Sequence, residues 1–355
     1  MTLAALVAGA TGRPTLSLEL FPPRTDAGRG ALQRSLDELL AARPDFVSVT
    51  FGAAGGTRER SRELLAHVLS TTAVPAMAHL TCVGSSRRQV VELAQEFLDA
   101  GVRDFLALRG DPPAGAPDWR PHPDGVPTAR DLVELLQVAD RRRRALRGAS
   151  LPPGEGALSL AVAAFPRARC EADLAVLRAK QDAGAHFAVC QVTFCAQEYA
   201  AFVRRARAAG VSMPLLPGLA VSDDPRRLRR IGELTGVQVP GPLLAALDAG
   251  DAAQRRRVAT AFTAALARGL LDAGAPGLHL YTFNAAAAAL DLLDHLDLPR
   301  STGPADPARP VDTGNPGNPG NPGNPGNPGN PGNPGNPGHP LNTENPRVAA
   351  VGGPR

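Results

Sequence analysis

The stretch LSLELFPPR, Leu16 to Arg24, reads as a buried strand that carries a carboxylate near its exit. Leu16, Leu18, Leu20 and Phe21 suit an almost wholly buried strand, and Pro22-Pro23 end it, because proline brings no ladder donor and fixes its own φ. Glu19 breaks this apolar pattern close to the carboxyl end. A carboxylate there is costly unless it is hydrogen-bonded, paired or protonated, and a raised pKa is what a general acid needs. A strand-edge glutamate facing water is the plain alternative on this stretch alone.

Outward from it, apolar spacing alternates between strand and helix. Leu32, Leu36, Leu39 and Leu40 predict an amphipathic helix over residues 30–42, followed by a strand at Phe46 to Thr50. A helix capped at Thr57 and running to Leu69, a strand at 76–80, a helix at 87–100 and a strand at 105–108 continue the series. Beyond a Pro-rich loop come a helix at 131–147, strands at 157–164, 187–192 and 215–219, and helices at 171–183 and 198–209 between them. Gly277 to Tyr281 supplies the eighth strand.

Eight strands alternating with helices over residues 14–299 predict an α/β fold, a (β/α)8 TIM barrel. An open doubly wound sheet is disfavoured, since no strand leads into a GxGxxG turn and GAAGG at Gly52 to Gly56 has the wrong spacing. The helical stretch Pro225 to Leu271 is longer than one crossover needs and predicts extra helices between strands seven and eight. Residues 1–13 are expected to be a short disordered leader, and residues 300–355 a disordered tail built on eight Gly-Asn-Pro triplets from Gly314 to Pro337.

Composition narrows the function. The chain has 355 residues, a net charge of +4 and 43% hydrophobic content, with no apolar run near the roughly 18 residues needed to span a bilayer. Met1 to Pro14 lacks the pattern of a secretory signal, so a cytoplasmic protein with no membrane contact is expected. Cys82, Cys170, Cys190 and Cys195 form no CxxC pair and have no histidine at metal-ligand spacing, which predicts free thiols and no metal site. Arginine clusters such as Arg141 to Arg144 lie in separate helical segments, and aromatic content is 4%, so nucleic acid is not an expected partner. Lys180 is the sole lysine and Asn284 the sole asparagine before the tail; in an arginine-rich chain a lone lysine suggests a place where a compact ammonium matters.

In a barrel of this kind the chemistry sits at the carboxyl ends of the strands. Glu19, Thr50, His79, Arg109, Asp111, Gln191 and Asn284 all fall at such ends. Two carboxylates, an arginine and two amides, with no Ser/His/Asp set, point to proton transfer and cofactor binding rather than nucleophilic or metal-dependent hydrolysis.

The successive motifs ELFPPR, FVSVTFGAAGG, MAHLTCVGSS, LALRGDPP, DAGAHFAVCQ and GLHLYTFN resemble, in order and spacing from Leu16 to Leu298, the strand-end motifs of the methylenetetrahydrofolate reductase family. The resemblance implies a barrel holding FAD, reduced by NADH or NADPH before methylenetetrahydrofolate takes the hydride in a ping-pong cycle. It assigns Glu19 as general acid, Asp111 as the carboxylate near flavin and pterin, and Gln191 as a substrate-binding amide, with Asn284 beside it on the substrate side. Thr50, His79, Arg109, Gly110, Asp111, Ala129, Asp173 and Lys180 match positions that bind FAD. Asp173 and Lys180, seven apart on one predicted helix, share a face. A homo-oligomer is expected.

The recognition shell departs from the family. Pro225 stands where relatives carry an aromatic, Ala285 where they have arginine, Thr128 and Phe165 replace tyrosines, Arg169 a histidine and Cys195 an acidic residue. Two expectations follow: a working reductase with altered ligand affinity, or a divergent paralogue that reduces another folate-like or iminium substrate or serves as a weakly catalytic flavin-binding partner. Nothing in the repeat tail resembles the S-adenosylmethionine-binding regulatory domain that larger relatives of the family append, so no inhibition by that metabolite through this chain is expected.

Overall fold

The computed structural model describes residues 1–23, 27–51, 55–111, 120–147, 158–166, 171–296 and 298. The repeat tail, Cys170, Arg169 and the prolines of LALRGDPP lie outside the described residues.

Eight parallel strands close into a barrel in sequence order, as the alternating pattern predicts. They are β1 (Thr15–Leu20), β2 (Phe46–Val49), β3 (Ala76–Thr81), β4 (Asp104–Leu108), β5 (Ser159–Ala164), β6 (Phe187–Val192), β7 (Leu215–Ala220) and β8 (Gly277–Tyr281). Closure comes from β8 lying beside β1, with Ser17 opposite His279 and Glu19 opposite Tyr281. This brings together residues that lie some 260 positions apart in the chain. Gly277 allows the seam, because a Cβ there would stand 2.0 Å from the Thr15 carbonyl oxygen.

Helices α2 (Ala27–Ala41), α3 (Gly55–Thr71), α4 (Arg87–Asp99), α5 (Ala129–Arg147), α6 (Glu171–Asp182) and α7 (Ala196–Ala208) follow the first six strands in turn. Their starts are written locally. Ser86 and Gln89 form a reciprocal capping box on α4, and Thr128 Oγ1 accepts from the Asp131 N–H at the head of α5. Between β7 and β8 run α8 (Pro225–Thr235), α9 (Gly241–Ala249) and α10 (Ala252–Asp272), the predicted extra helices, and α11 (Ala286–Asp294) closes the ring. Leu228, Ile231, Leu243 and Leu247 from α8 and α9 join Val192, Phe194 and Ala220 in a satellite core above β6 and β7.

The leader corrects the expectation made for it. Residues 3–7 form α1 (Leu3–Val7), and Leu3, Leu6 and Val7 enter the barrel interior with Phe46, Met77, Leu106, Phe187 and Leu216. A five-residue helix has no stability of its own. The apolar side chains it buries at the amino ends of the strands hold it, helped by the Ala4 N–H donating to Ser159 Oγ (3.1 Å) and Thr15 Oγ1 donating to the Leu6 carbonyl (3.1 Å).

Asp104 makes this plug pH-sensitive. It accepts from Ser159 and from the Leu3 N–H, yet burial outweighs these bonds and pushes its carboxyl up to about 6. A raised carboxylate pKa means that the folded chain keeps a proton which the unfolded chain has lost, so stability falls as pH rises from about 4 to about 6 and stays lower above that. Asp104→Asn, which keeps an acceptor and carries no charge, is expected to stabilise the protein at pH 8 by about 2 kcal/mol and to be neutral near pH 4. Urea unfolding at both pH values checks this; an equal effect at the two would show that the charge is irrelevant.

Candidate active site

Glu19, 6% exposed, sits at the carboxyl end of β1 inside a ring of donors. Thr50, the residue after β2, donates from Oγ1 to Glu19 Oε1 at 2.7 Å, and His279 Nε2 meets Oε2 at 3.2 Å. Ser17 Oγ lies 2.8 Å from His279 Nδ1. With the carboxylate ionised, the consistent assignment is Nε2–H donating to Glu19 and the Ser17 hydroxyl donating to Nδ1. Ser17 and His279 are wholly buried, so this chain holds and orients the carboxylate and offers no exposed nucleophile.

The charge state of Glu19 differs from the simple expectation of a raised pKa. Burial does push it up, but the charge of His79, the hydrogen bond and charge of His279, and the Thr50 hydroxyl together outweigh burial and leave it below the ordinary carboxylate value. His79, on β3, is itself held below the ordinary imidazole value by burial, against the opposing pull of Glu19 and with a push from His279. Its Nε2 is buried with no hydrogen-bond partner among the described residues. Ser48 Oγ, on β2 opposite Glu19, is buried and unpartnered in the same way. Buried polar atoms without partners are expensive, and a ligand that pairs them recovers the cost.

A second cluster lies at the ends of β4 and β5. Lys180, on α6, is 9% exposed and donates from Nζ to the Ala163 carbonyl at 2.9 Å. Burial, with a smaller push from the Arg109 charge, lowers its pKa to about 8. Among the described residues no carboxylate pairs with it. Arg109 is exposed and folds back so that Nε donates to the Gly110 carbonyl (3.2 Å). Gly110 has φ 82, and a Cβ there would meet Val83 Cγ1 at 2.5 Å, so only glycine makes this turn without displacing the β3 loop. Asp111 follows at once and is partly buried. Ala129 is buried at the first position of α5, and Asp173 lies in the first turn of α6.

Two predicted substrate residues are placed differently from one another. Gln191 lies at an irregularity in the β6 register, between Val189 and Val192, and its Oε1 accepts from the Val192 N–H at 2.9 Å. Asn284 accepts from the Phe21 N–H (2.9 Å) and donates to the Phe21 carbonyl (2.8 Å). This two-point clasp ties the loop after β8 to the loop after β1 and sets Phe21 against Phe283, ring centroids 5.7 Å apart and nearly parallel. Phe283 and Asn284 both have left-handed backbone, φ 50 and 60.

Pro225 is buried as the first residue of α8, behind an Asp224 cap, and Ala285 is half-buried at the start of α11. His279 and Ser17 are absent from the sequence-level site. Their signal was the alternation itself, since Ser17 and Glu19 share one face of β1, but the partner on β8 emerges only when the barrel closes.

The cleft thus combines a hydrogen-bonded carboxylate, an imidazole whose buried Nε2 has no partner among the described residues and, across the mouth, a buried ammonium with no carboxylate partner among them. It suits proton transfer beside a large ligand with a polar ring and an anionic portion. The family profile of methylenetetrahydrofolate reductase matches residues 4–297. The 5,10-methylenetetrahydrofolate reductase of Pectobacterium carotovorum is 33% identical over 284 residues, covering 78% of this chain and 87% of that protein. The Escherichia coli protein of the same name is 31% identical over 285 residues, covering 78% and 88%. Among solved structures, a Clostridium thermocellum protein described as binding two copies of 5-methyl-5,6,7,8-tetrahydrofolic acid superposes with a TM-score of 0.51 at 12% identity, covering 82% of this chain and 99% of that one, a likeness of fold.

Proposed function

The chain belongs to the methylenetetrahydrofolate reductase family, and on that premise we propose that it is an FAD-dependent reductase working in two half-reactions. NADH or NADPH delivers a hydride in the first, and methylenetetrahydrofolate accepts it in the second. The observation that carries this reading is Glu19, a buried carboxylate supplied with donors and electrostatically coupled to His79, whose buried Nε2 has no partner among the described residues.

The residues fit a flavin. His79, whose buried Nε2 has no partner among the described residues, suits the polar edge of an isoalloxazine, and the buried Lys180 ammonium, with no carboxylate partner among them, suits a phosphate. Thr50, Arg109, Gly110, Asp111, Ala129 and Asp173 complete the cradle in this reading. Bound there, FAD supplies a two-electron store that a nicotinamide fills and a folate empties.

Glu19 supplies the proton. Methylenetetrahydrofolate accepts hydride once its five-membered ring opens to an iminium, and ring opening needs a proton on the departing nitrogen. Among its protein neighbours the carboxyl is biased toward ionisation. A bound flavin and folate would exclude water from Glu19 and add to burial, the one influence that raises its pKa. After transfer, the Thr50 and His279 donors stabilise the carboxylate that remains. Gln191 orients the pterin, and Asn284 keeps the Phe21 side of the rim in place. A cytoplasmic homo-oligomer belongs to the same reading; light scattering reports its mass.

The second reading, a divergent paralogue acting on another folate-like or iminium substrate or a weakly catalytic flavin-binding partner, draws on Pro225. A buried helix-start proline cannot swing over a ligand as an aromatic side chain can. Anaerobic stopped-flow separates the two. In the reductase, NADH or NADPH bleaches the flavin and methylenetetrahydrofolate restores it; a flavin that is reduced but never reoxidised by the folate defeats this assignment.

A further inference from the structure

Two of the four arginines of α8, the exposed Arg226 and the half-buried Arg227, are left over when its charges are matched among the described residues, and only Arg227 lies against the rim of the cleft. Arg229 pairs with Asp248 and Arg230 with Glu233. Arg227, half-buried, has no carboxylate partner among the described residues, and its guanidinium carbon lies 5.1 Å from the centroid of the Phe283 ring. Phe283 in turn stacks on Phe21, two residues beyond Glu19. A bulky side chain in left-handed backbone is strained, and Phe283 adopts that conformation at φ 50. The clasp between Asn284 and Phe21 holds that conformation. The result is a short row on one side of the mouth, running from Phe21, two residues past Glu19, through Phe283 to a guanidinium.

Resting on the functional reading above, we propose that Arg227 is a specificity-determining residue of the folate half-reaction and takes a carboxylate of the substrate's glutamate. A guanidinium lying over an aromatic ring has given up hydration on one face while its edge N–H groups stay free, a state preorganised for planar two-point binding of a carboxylate. The charge belongs to the second ligand rather than to the flavin because of the strand order. Lys180 and Arg109 serve the ends of β4 and β5, whereas Arg227 stands beside the loops after β7, β8 and β1, across the closed barrel. The stacked Phe21 and Phe283 rings give the aminobenzoyl portion of a folate an apolar path between the two ends.

The test uses the full chain with oxidised flavin bound and titration calorimetry. Methyltetrahydrofolate and methyltetrahydropteroate, which lacks the glutamate, are titrated into the wild type, Arg227→Gln and Arg227→Lys. Arg227→Gln is expected to raise the Kd of methyltetrahydrofolate about tenfold and to leave that of the pteroate within about twofold. Arg227→Lys recovers part of the loss, and the KM for NADH in flavin reduction is unchanged in every variant. Equal weakening of both ligands would assign Arg227 to holding Phe283 instead. A change confined to the NADH half-reaction would assign it to a nucleotide phosphate, and no change at all would remove it from the site. A wild type that binds neither pterin would overturn the functional reading itself, an outcome distinct from these.

Discussion

Glu19→Gln will leave flavin binding and its reduction by NADH or NADPH nearly intact and slow the folate half-reaction by about a thousandfold, the middle of the range for a lost general acid. The substitution is tolerated by the local hydrogen bonds. Glutamine keeps an oxygen for the Thr50 hydroxyl, and His279 can pass its proton from Nε2 to Nδ1, accept from the new amide and donate to Ser17. What is lost is the proton, so only the step that opens the folate ring suffers. In the wild type the folate half-reaction should also decline as pH rises through the pKa of ligand-covered Glu19, because the acid form disappears; the variant should lack that limb. Anaerobic stopped-flow of the two halves measures both effects. An equal loss in the two halves would show that Glu19 supports the cleft rather than the chemistry.

Glu19 also marks how far sequence reasoning reaches. The barrel was legible because buried parallel strands are short apolar runs between helices with strong periodicity, and β6 and β8 begin and end at the predicted residues. Glu19 was legible as the one charge in such a run. Its charge state was not, because that depends on His279 and Thr50, which closure of the barrel and the β1–β2 register bring to it. The expectation of a raised pKa followed burial, the largest single influence, and missed the donors that reverse the net direction. The α1 plug was missed for a similar reason. LAALV is too short to signal a helix, and what stabilises it is the open end of a barrel assembled from eight distant segments. Asn284 was found as an isolated asparagine, yet its amide turns out to clasp Phe21, a contact no spacing rule proposes.

Lys180→Met is the prediction in which stability and ligand binding move in opposite directions. Among the described residues the buried ammonium has no carboxylate partner, and its pKa of about 8 against an ordinary 10.5 reflects how strongly burial resists the charge. For a base held low, the penalty is fully present below pH 8 and is relieved as pH rises toward 10.5, where the unfolded chain alone still holds the proton. That amounts to about 3 kcal/mol at pH 7, less the bond to the Ala163 carbonyl, which methionine cannot make. Flavin-free Lys180→Met is therefore expected to melt higher than the flavin-free parent at pH 7, with the gap closing above pH 10. A phosphate brought to Lys180 repays the same penalty, so the variant should bind FAD about a hundredfold more weakly, the loss expected when one partner of a buried charge pair is removed. Thermal melts with and without flavin, together with the Kd from fluorescence quenching, give both numbers. A destabilised variant with unchanged flavin affinity would mean that Lys180 merely ties α6 to β5. Opposite signs in the two measurements are what a charge kept for a ligand, against the preference of the fold, has to produce.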